Sequence, residues 1–168
     1  NFCKEQRIGV LGHFISKQCF NIDGLGETQL RIFWDNNFIK NFEDIFTLEK
    51  KQLKKLIDIK KLEGWGDKSL KNLFYAINIS RNIDFDKFLF ALGIRHIGQN
   101  TALILSESFN NIEQFLIYFQ KKSNISSRGF EGIGQVILNS LFDYFNCEFN
   151  ISNLKKLLIH TSIKYKKI

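Results

Sequence analysis

The chain has 168 residues, 44% of them hydrophobic, which is enough for a packed core and too much for a disordered tail. Its formal net charge of +7, from 24 Lys and Arg against 17 Asp and Glu, favours a polyanionic partner; lysine outnumbers arginine 19 to 5 in a chain rich in Asn, Ile and Phe, as AT-rich coding would also produce. Apolar runs such as Phe88 to Ile94 are broken well short of a membrane span, and no charged leader with a cleavage site is visible, so no membrane role or secretion is expected.

Three widely spaced cysteines, Cys3, Cys19 and Cys147, make no disulfide framework, and a cytoplasmic, reducing compartment is expected. Cys19 and Cys147 are expected as small core residues. No Met occurs at position 1 or elsewhere, so the sequence is expected to be a piece of a longer polypeptide.

In chain order, a helix-like stretch from Gln6 to Lys17 leads into the turn signal Ile22-Asp23-Gly24-Leu25-Gly26. A second stretch, Glu49 to Ile57, leads into Leu62-Glu63-Gly64-Trp65-Gly66. Asp84 to Leu92 comes next, with Asp84 and Asp86 suited to a helix N-terminus, and is followed by Ile94-Arg95-His96-Ile97-Gly98. Asn111 to Lys122 precedes the fourth turn, Phe130-Glu131-Gly132-Ile133-Gly134, across an expected loop at Ser123 to Gly129. Strand signals are weak throughout, and the chain is predicted to be all-α.

The four turns form an internal repeat of apolar residue, any residue, Gly, apolar residue, Gly, with His96 standing for the first Gly of the third copy. Apolar positions follow four residues after the second Gly (Leu30, Leu70, Ala102, Leu138) and three further on (Phe33, Leu73, Leu105, Leu141). That spacing is one face of a helix beginning at the second Gly. The first-glycine positions are separated by 40, 32 and 36 residues, so copies one and two, and three and four, are expected to pair around a junction near Ser80 to Asp84.

A tight turn between helices favours residues that tolerate positive φ, and the helix that follows leaves its first N–H groups unpaired. Those groups and the aligned peptide dipoles form an anion site that needs no cationic side chain. Such a site reads phosphates and not bases, so sequence-independent contact across a minor groove is expected. One Gly-x-Gly between helices is as easily a mere turn; four in register are hard to explain as packing alone.

The candidate DNA-binding residues are Gly24, Leu25, Gly26 and Thr28; Gly64, Trp65, Gly66 and Lys68; Arg95, His96, Ile97, Gly98, Asn100 and Thr101; and Gly132, Ile133, Gly134 and Gln135. Arg95 either donates to phosphate or forms a salt bridge, and His96 is a turn residue with no chemistry assigned. Asp23 and Glu27 put negative charge beside the first hairpin, which either binds weakly or serves packing. The basic run Lys50, Lys51, Lys54, Lys55, Lys60 and Lys61 is a solvated face by default, with DNA rim contact as the alternative.

These turns resemble the helix-hairpin-helix family. His13-Phe14-Ile15-Ser16-Lys17, Asn21-Ile22-Asp23-Gly24-Leu25-Gly26 and especially Phe90-Ala91-Leu92-Gly93-Ile94-Arg95-His96-Ile97-Gly98 resemble the tandem-hairpin domain of bacterial NAD-dependent DNA ligases, over about Cys3 to Ile159. The resemblance implies a RuvA domain 2-like, all-α fold of four tandem motifs in two paired units. The expected division is residues 1–20 as the end of a zinc finger and a lead-in helix, 21–82 and 83–150 as the two pairs, and 151–168 as a C-terminal helix and basic linker.

The resemblance also implies a role in gripping nicked double-stranded DNA, as a monomer, within an enzyme that uses NAD, magnesium and zinc to seal nicks in replication and repair. Cys3, in Cys3-Lys4-Glu5-Gln6, resembles the last cysteine of that family's four-cysteine zinc finger, with Lys4 where a proline is usual. The family's adenylation lysine lies in a Lys-x-Asp-Gly motif that no lysine here fits, so this piece is expected to hold no cofactor and to be inactive alone. Competing readings are a hairpin module of an excision nuclease or junction-processing protein, a helical protein-interaction module, and a self-contained enzyme.

Overall fold

The structure, a computed structural model, describes residues 3–120 and 129–166. Residues 121–128, which hold most of the expected loop before the fourth hairpin, lie outside the described residues, as does the end of the helix expected at Asn111 to Lys122. The described chain is mostly helical, with α1 Lys4–Ile15, α2 Glu27–Asp35, α3 Phe42–Leu53, a short turn of 3-10 helix at Ile59–Lys61, and α4 Asp67–Ser80. Strand β1 Asn82–Asp84 follows, then α5 Phe85–Ala91, α6 Gln99–Ser108, α7 Ile112–Gln120, α8 Gln135–Phe145, α9 Glu148–His160 and β2 Ser162–Lys164.

Local chemistry sets the element starts. The backbone N–H groups of Lys40 and Asn41 both donate to Asp44 Oδ2, at 2.8 and 2.9 Å, which starts α3 at Phe42, a full two turns before the expected Glu49. Lys55, at φ 58°, ends the run, so Leu53 and Leu56 stand 77% and 70% exposed and do not continue a helical face. Asp84, in extended conformation, caps α5 where the sequence placed a helix N-terminus.

Phenylalanine fills the interior: Phe14, Phe33, Phe88, Phe115, Phe119 and Phe145 are fully buried. Phe14 stacks between Phe20 and Phe42, each at 4.2 Å between ring centroids. Trp65 of the second hairpin packs on Phe33 of α2 at 5.3 Å, and Phe130 of the fourth packs on Phe109 at 5.6 Å. The His13 Nε2–H donates to the Phe90 carbonyl at 2.7 Å and ties α1 to α5.

The strand pair is the main departure from an all-helical expectation. β1 and β2 run parallel in the register Asn82↔Ser162, Ile83↔Ile163, Asp84↔Lys164. The segment expected as a basic linker therefore folds back onto the strand between α4 and α5, where Ser162 N–H donates to the Arg81 carbonyl at 2.7 Å. The Arg81 guanidinium lies over Phe46, 5.3 Å from the ring centroid, and donates to the carbonyls of Phe46 and His160 at 2.7 and 3.2 Å. Tyr165 completes the anchor, its hydroxyl accepting from Ile112 N–H at 3.0 Å. Cys19 is buried as expected, but Cys147 is exposed, because it caps α9 at the surface connection from α8.

Candidate nucleic-acid interface

All four hairpins adopt one backbone geometry. The first-glycine position is left-handed in each: Gly24 at φ 87°, Gly64 at 83°, His96 at 68° and Gly132 at 83°. The apolar residue after it points inward, with Leu25, Ile97 and Ile133 buried and Trp65 partly so. It is fixed in the last three copies by an N–H bond back to the residue three before, Trp65 to Leu62, Ile97 to Ile94 and Ile133 to Phe130, at 3.2, 3.1 and 3.0 Å. The second glycine (Gly26, Gly66, Gly98, Gly134) is the extended N-cap of the helix that follows.

The helices begin bonding four residues later. Leu30, Leu70, Ala102 and Leu138 donate to the carbonyls of these glycines at 2.9, 3.0, 3.0 and 3.1 Å. The N–H groups in between have no partner among the described residues: those of Glu27, Thr28 and Gln29; Asp67, Lys68 and Ser69; Gln99, Asn100 and Thr101; Gln135, Val136 and Ile137. Gly24, Gly26, Gly64, Gly66, His96, Gly98, Gly132 and Gly134 are all exposed, so each helix start is open to an anion. Behind this surface the repeat packs as its spacing predicts, with Phe33, Leu73, Leu105 and Leu141 all fully buried.

A family model described as a helix-hairpin-helix motif matches residues 87–154. Beyond that span, the chain is 39% identical over 164 residues to a DNA ligase of Ehrlichia chaffeensis, covering 96% of this chain and 24% of the relative. It is 40% identical over 161 residues to a DNA ligase of Rickettsia canadensis, covering 92% and 23% of the two chains. A DNA ligase of Parvibaculum lavamentivorans is 36% identical over 149 residues, 85% of this chain and 21% of that one. The chain matches a helix-hairpin-helix segment of DNA ligases. It spans about a quarter of the length of these relatives.

Side chains make the four helix-hairpin-helix motifs unequal. At the third, Arg95, His96 and Asn100 are exposed, Thr101 is half-buried, and Arg95 has neither an ion pair nor a hydrogen bond among the described residues. The salt-bridge alternative for Arg95 is therefore not realised. At the second, Lys68 is exposed and unpaired among the described residues, while Asp67 is held by Lys60 at 2.6 Å, which keeps its carboxyl below the usual range. At the first, Thr28 is exposed, and Arg31 binds both Glu27 at 2.9 Å and Glu5 at 2.7 Å. Glu27 is thus offset by a cation; Asp23 is not. At the fourth, the Gln135 amide is engaged, donating to Asn139 Oδ1 at 2.8 Å.

Ser69 escaped the sequence analysis. Its Oγ accepts from Gly66 N–H at 2.9 Å, so this donor of the second motif is already occupied; a polar residue three after the capping glycine is the signal that could have revealed it. In the basic run, Lys51 and Lys60 form ion pairs, Lys51 with Asp44 at 3.6 Å, and Lys50, Lys54, Lys55 and Lys61 remain exposed.

Cys3 caps α1 at the surface, its backbone N–H donating to Gln6 Oε1 at 3.1 Å. Among the described residues no three His, Cys, Asp or Glu side chains come together as metal ligands, so these residues do not by themselves fit a zinc site. No described helix is long and apolar enough to cross a membrane.

Proposed function

We propose that the chain grips duplex DNA by its phosphate backbone, without sequence preference, as the helix-hairpin-helix part of a bacterial NAD-dependent DNA ligase. The observation that carries this is the set of exposed, unpaired helix-start N–H groups repeated under one turn geometry in four hairpins. The net charge of +7 and the free cations Arg95 and Lys68 favour the same partner. Kinship with proteins named DNA ligase supports DNA as the partner; the setting proposed with it is nicked double-stranded DNA in replication and repair, in the cytoplasm, with the protein acting as a monomer.

Backbone N–H donors and peptide dipoles fix the register of a phosphate but carry no base information. A protein that must act at any nick needs that indifference. The ligase's NAD and magnesium would be bound outside this chain, since none of its lysines lies in a Lys-x-Asp-Gly motif. Cys3 would serve the ligase's zinc only with ligands from beyond these residues. Incubation with labelled NAD should leave this chain unlabelled; a covalent adenylate would refute its inactivity.

The deciding test is binding to nicked, intact and single-stranded DNA across a salt series. Duplex binding without sequence preference is expected, with log affinity falling at a slope of about −3.6 against log salt if about four phosphates lose counterions. Absence of duplex binding at low salt, or a salt-independent affinity, would make the hairpins structural.

A further inference from the structure

Helices α1, α3, α8 and α9 and the approach to the third hairpin enclose a cleft of about 450 Å³, of whose lining the DNA reading uses only Arg95. That volume lies within the range of small-molecule sites, roughly 300–1,000 Å³. Its walls are apolar: Val10 and Leu11 of α1, Phe42 of α3, Leu92 and Ile94 on the approach to the third hairpin, and Phe149 of α9. Leu11, Leu92 and Ile94 are buried, whereas Phe149 and Val10 stand 54% and 36% exposed at the opening.

The charged groups around these walls are mostly cationic, with Arg7, Lys40 and Arg95 against the single carboxylate of Asp143. Two of the cations are engaged. Arg7 donates to the Lys40 carbonyl at 3.2 Å and to Asn41 Oδ1 at 2.8 Å, with its guanidinium 5.3 Å from the Phe149 ring centroid. Lys40 Nζ sits 3.9 Å from the Trp34 ring centroid. Arg95 is left with an open guanidinium.

Tyr144 also lines the cleft, and its hydroxyl has no hydrogen-bond partner among the described residues. Asn153 is equally unengaged, and Asn150 uses only its amide nitrogen, on the Tyr144 carbonyl at 3.2 Å. Burial pushes the Tyr144 phenol up, so it remains a hydrogen-bond donor throughout the neutral range.

We infer that this cleft binds a small planar aromatic anion, its ring laid between Phe42, Phe149 and Leu92 and its carboxylate held by Arg95 with the Tyr144 hydroxyl. The rings of Phe42 and Phe149 offer planar faces, on the second of which Arg7 already stacks, and favour a ring over a branched aliphatic body. A neutral ligand would forgo the charge-assisted bond to the guanidinium, and a cationic one would meet the positive rim.

The test uses 1-naphthoate titrated into this chain without DNA, followed by backbone amide shifts and by calorimetry, so the result does not depend on the duplex reading. Saturable binding is expected, with shifts concentrated at Leu92–Arg95 and Asn150–Asn153. Arg95→Gln should weaken it about tenfold, the scale of one lost charge-assisted bond, and Tyr144→Phe should weaken it several-fold. Neither side-chain group removed makes a contact that the fold needs, and circular dichroism checks that. Uncharged 1-naphthalenemethanol should bind the native chain more weakly than 1-naphthoate does. No saturable binding at millimolar 1-naphthoate would overturn the proposal. So would an affinity unchanged by Arg95→Gln or by Val10→Trp, which fills the opening.

Discussion

His96 holds the third hairpin in the same left-handed turn that Gly132 forms in the fourth, φ 68° against 83°. A side chain at that position costs roughly 1–2 kcal/mol of backbone strain, so its presence shows that the surrounding packing determines the turn and the glycine does not. Ile94 and Ile97, buried on either side, supply that packing.

The strain can be isolated by comparing glycines. A Cβ at Gly64 would meet nothing within 4 Å, whereas one at Gly132 would sit 3.3 Å from Ile104 Cδ1. Gly64→Ala should therefore cost about 1 kcal/mol from φ alone, and Gly132→Ala more, by whatever shift Ile104 must make. His96→Gly should be close to neutral, since relief of strain is offset by the greater freedom of glycine in the unfolded chain. Urea unfolding of the three variants measures this; equal losses at Gly64 and Gly132 would remove the Ile104 contact from the account.

The second glycines behave differently. Gly98 and Gly134 are extended, at φ −91° and −81°, and an added Cβ meets nothing within 4 Å at either. Gly98→Val should leave stability within about 1 kcal/mol of the native chain, because its backbone is open to any residue. Duplex affinity should nevertheless fall by about tenfold or more, because the branched side chain stands where a phosphate must approach the N–H groups. A variant that loses stability and affinity together would assign this glycine to folding.

The hairpins were legible because turn and helix start share one short signal: a left-handed residue, a buried apolar one and a capping glycine can each be read from type alone. Elements specified by distant partners were not. β1 pairs over three residues with a segment some eighty positions away, and Asn82-Ile83-Asp84 is too short to alternate visibly. The start of α3 was readable in Asn41 and Asp44, three apart, but the lysines from Lys50 onward drew the predicted helix towards a run in which Lys55 in fact terminates it. Among the site residues, Gln135 stands at the start of α8, but sequence could not show that its amide is held by Asn139.

Arg95 and Lys68 test the electrostatic part of the grip. Neither forms an ion pair among the described residues, so Arg95→Gln and Lys68→Gln should leave the unfolding midpoint nearly unchanged. Each should weaken duplex binding at all sequences alike and make the salt slope shallower by about 0.9, the share of one phosphate contact. A preference for particular sequences emerging in either variant would mean that the side chain reads bases.

His160 gives stability a pH dependence of known sign. Its ring stacks on Phe46 at 6.5 Å between centroids, and its carbonyl accepts from Arg81. Burial first, and then the Arg81 charge, hold its pKa below the ordinary 6.5. In the window between that ordinary value and the folded one, the unfolded chain binds more protons than the folded chain, so stability falls as pH drops below about 6.5 and levels off once the folded ring is also protonated. His160→Gln should flatten this part of the profile while keeping the carbonyl that Arg81 holds. Urea midpoints taken between pH 7.5 and 5 read the effect directly: an identical slope in the variant would place the titrating group elsewhere, and a rise in stability on acidification would reverse the assigned cause.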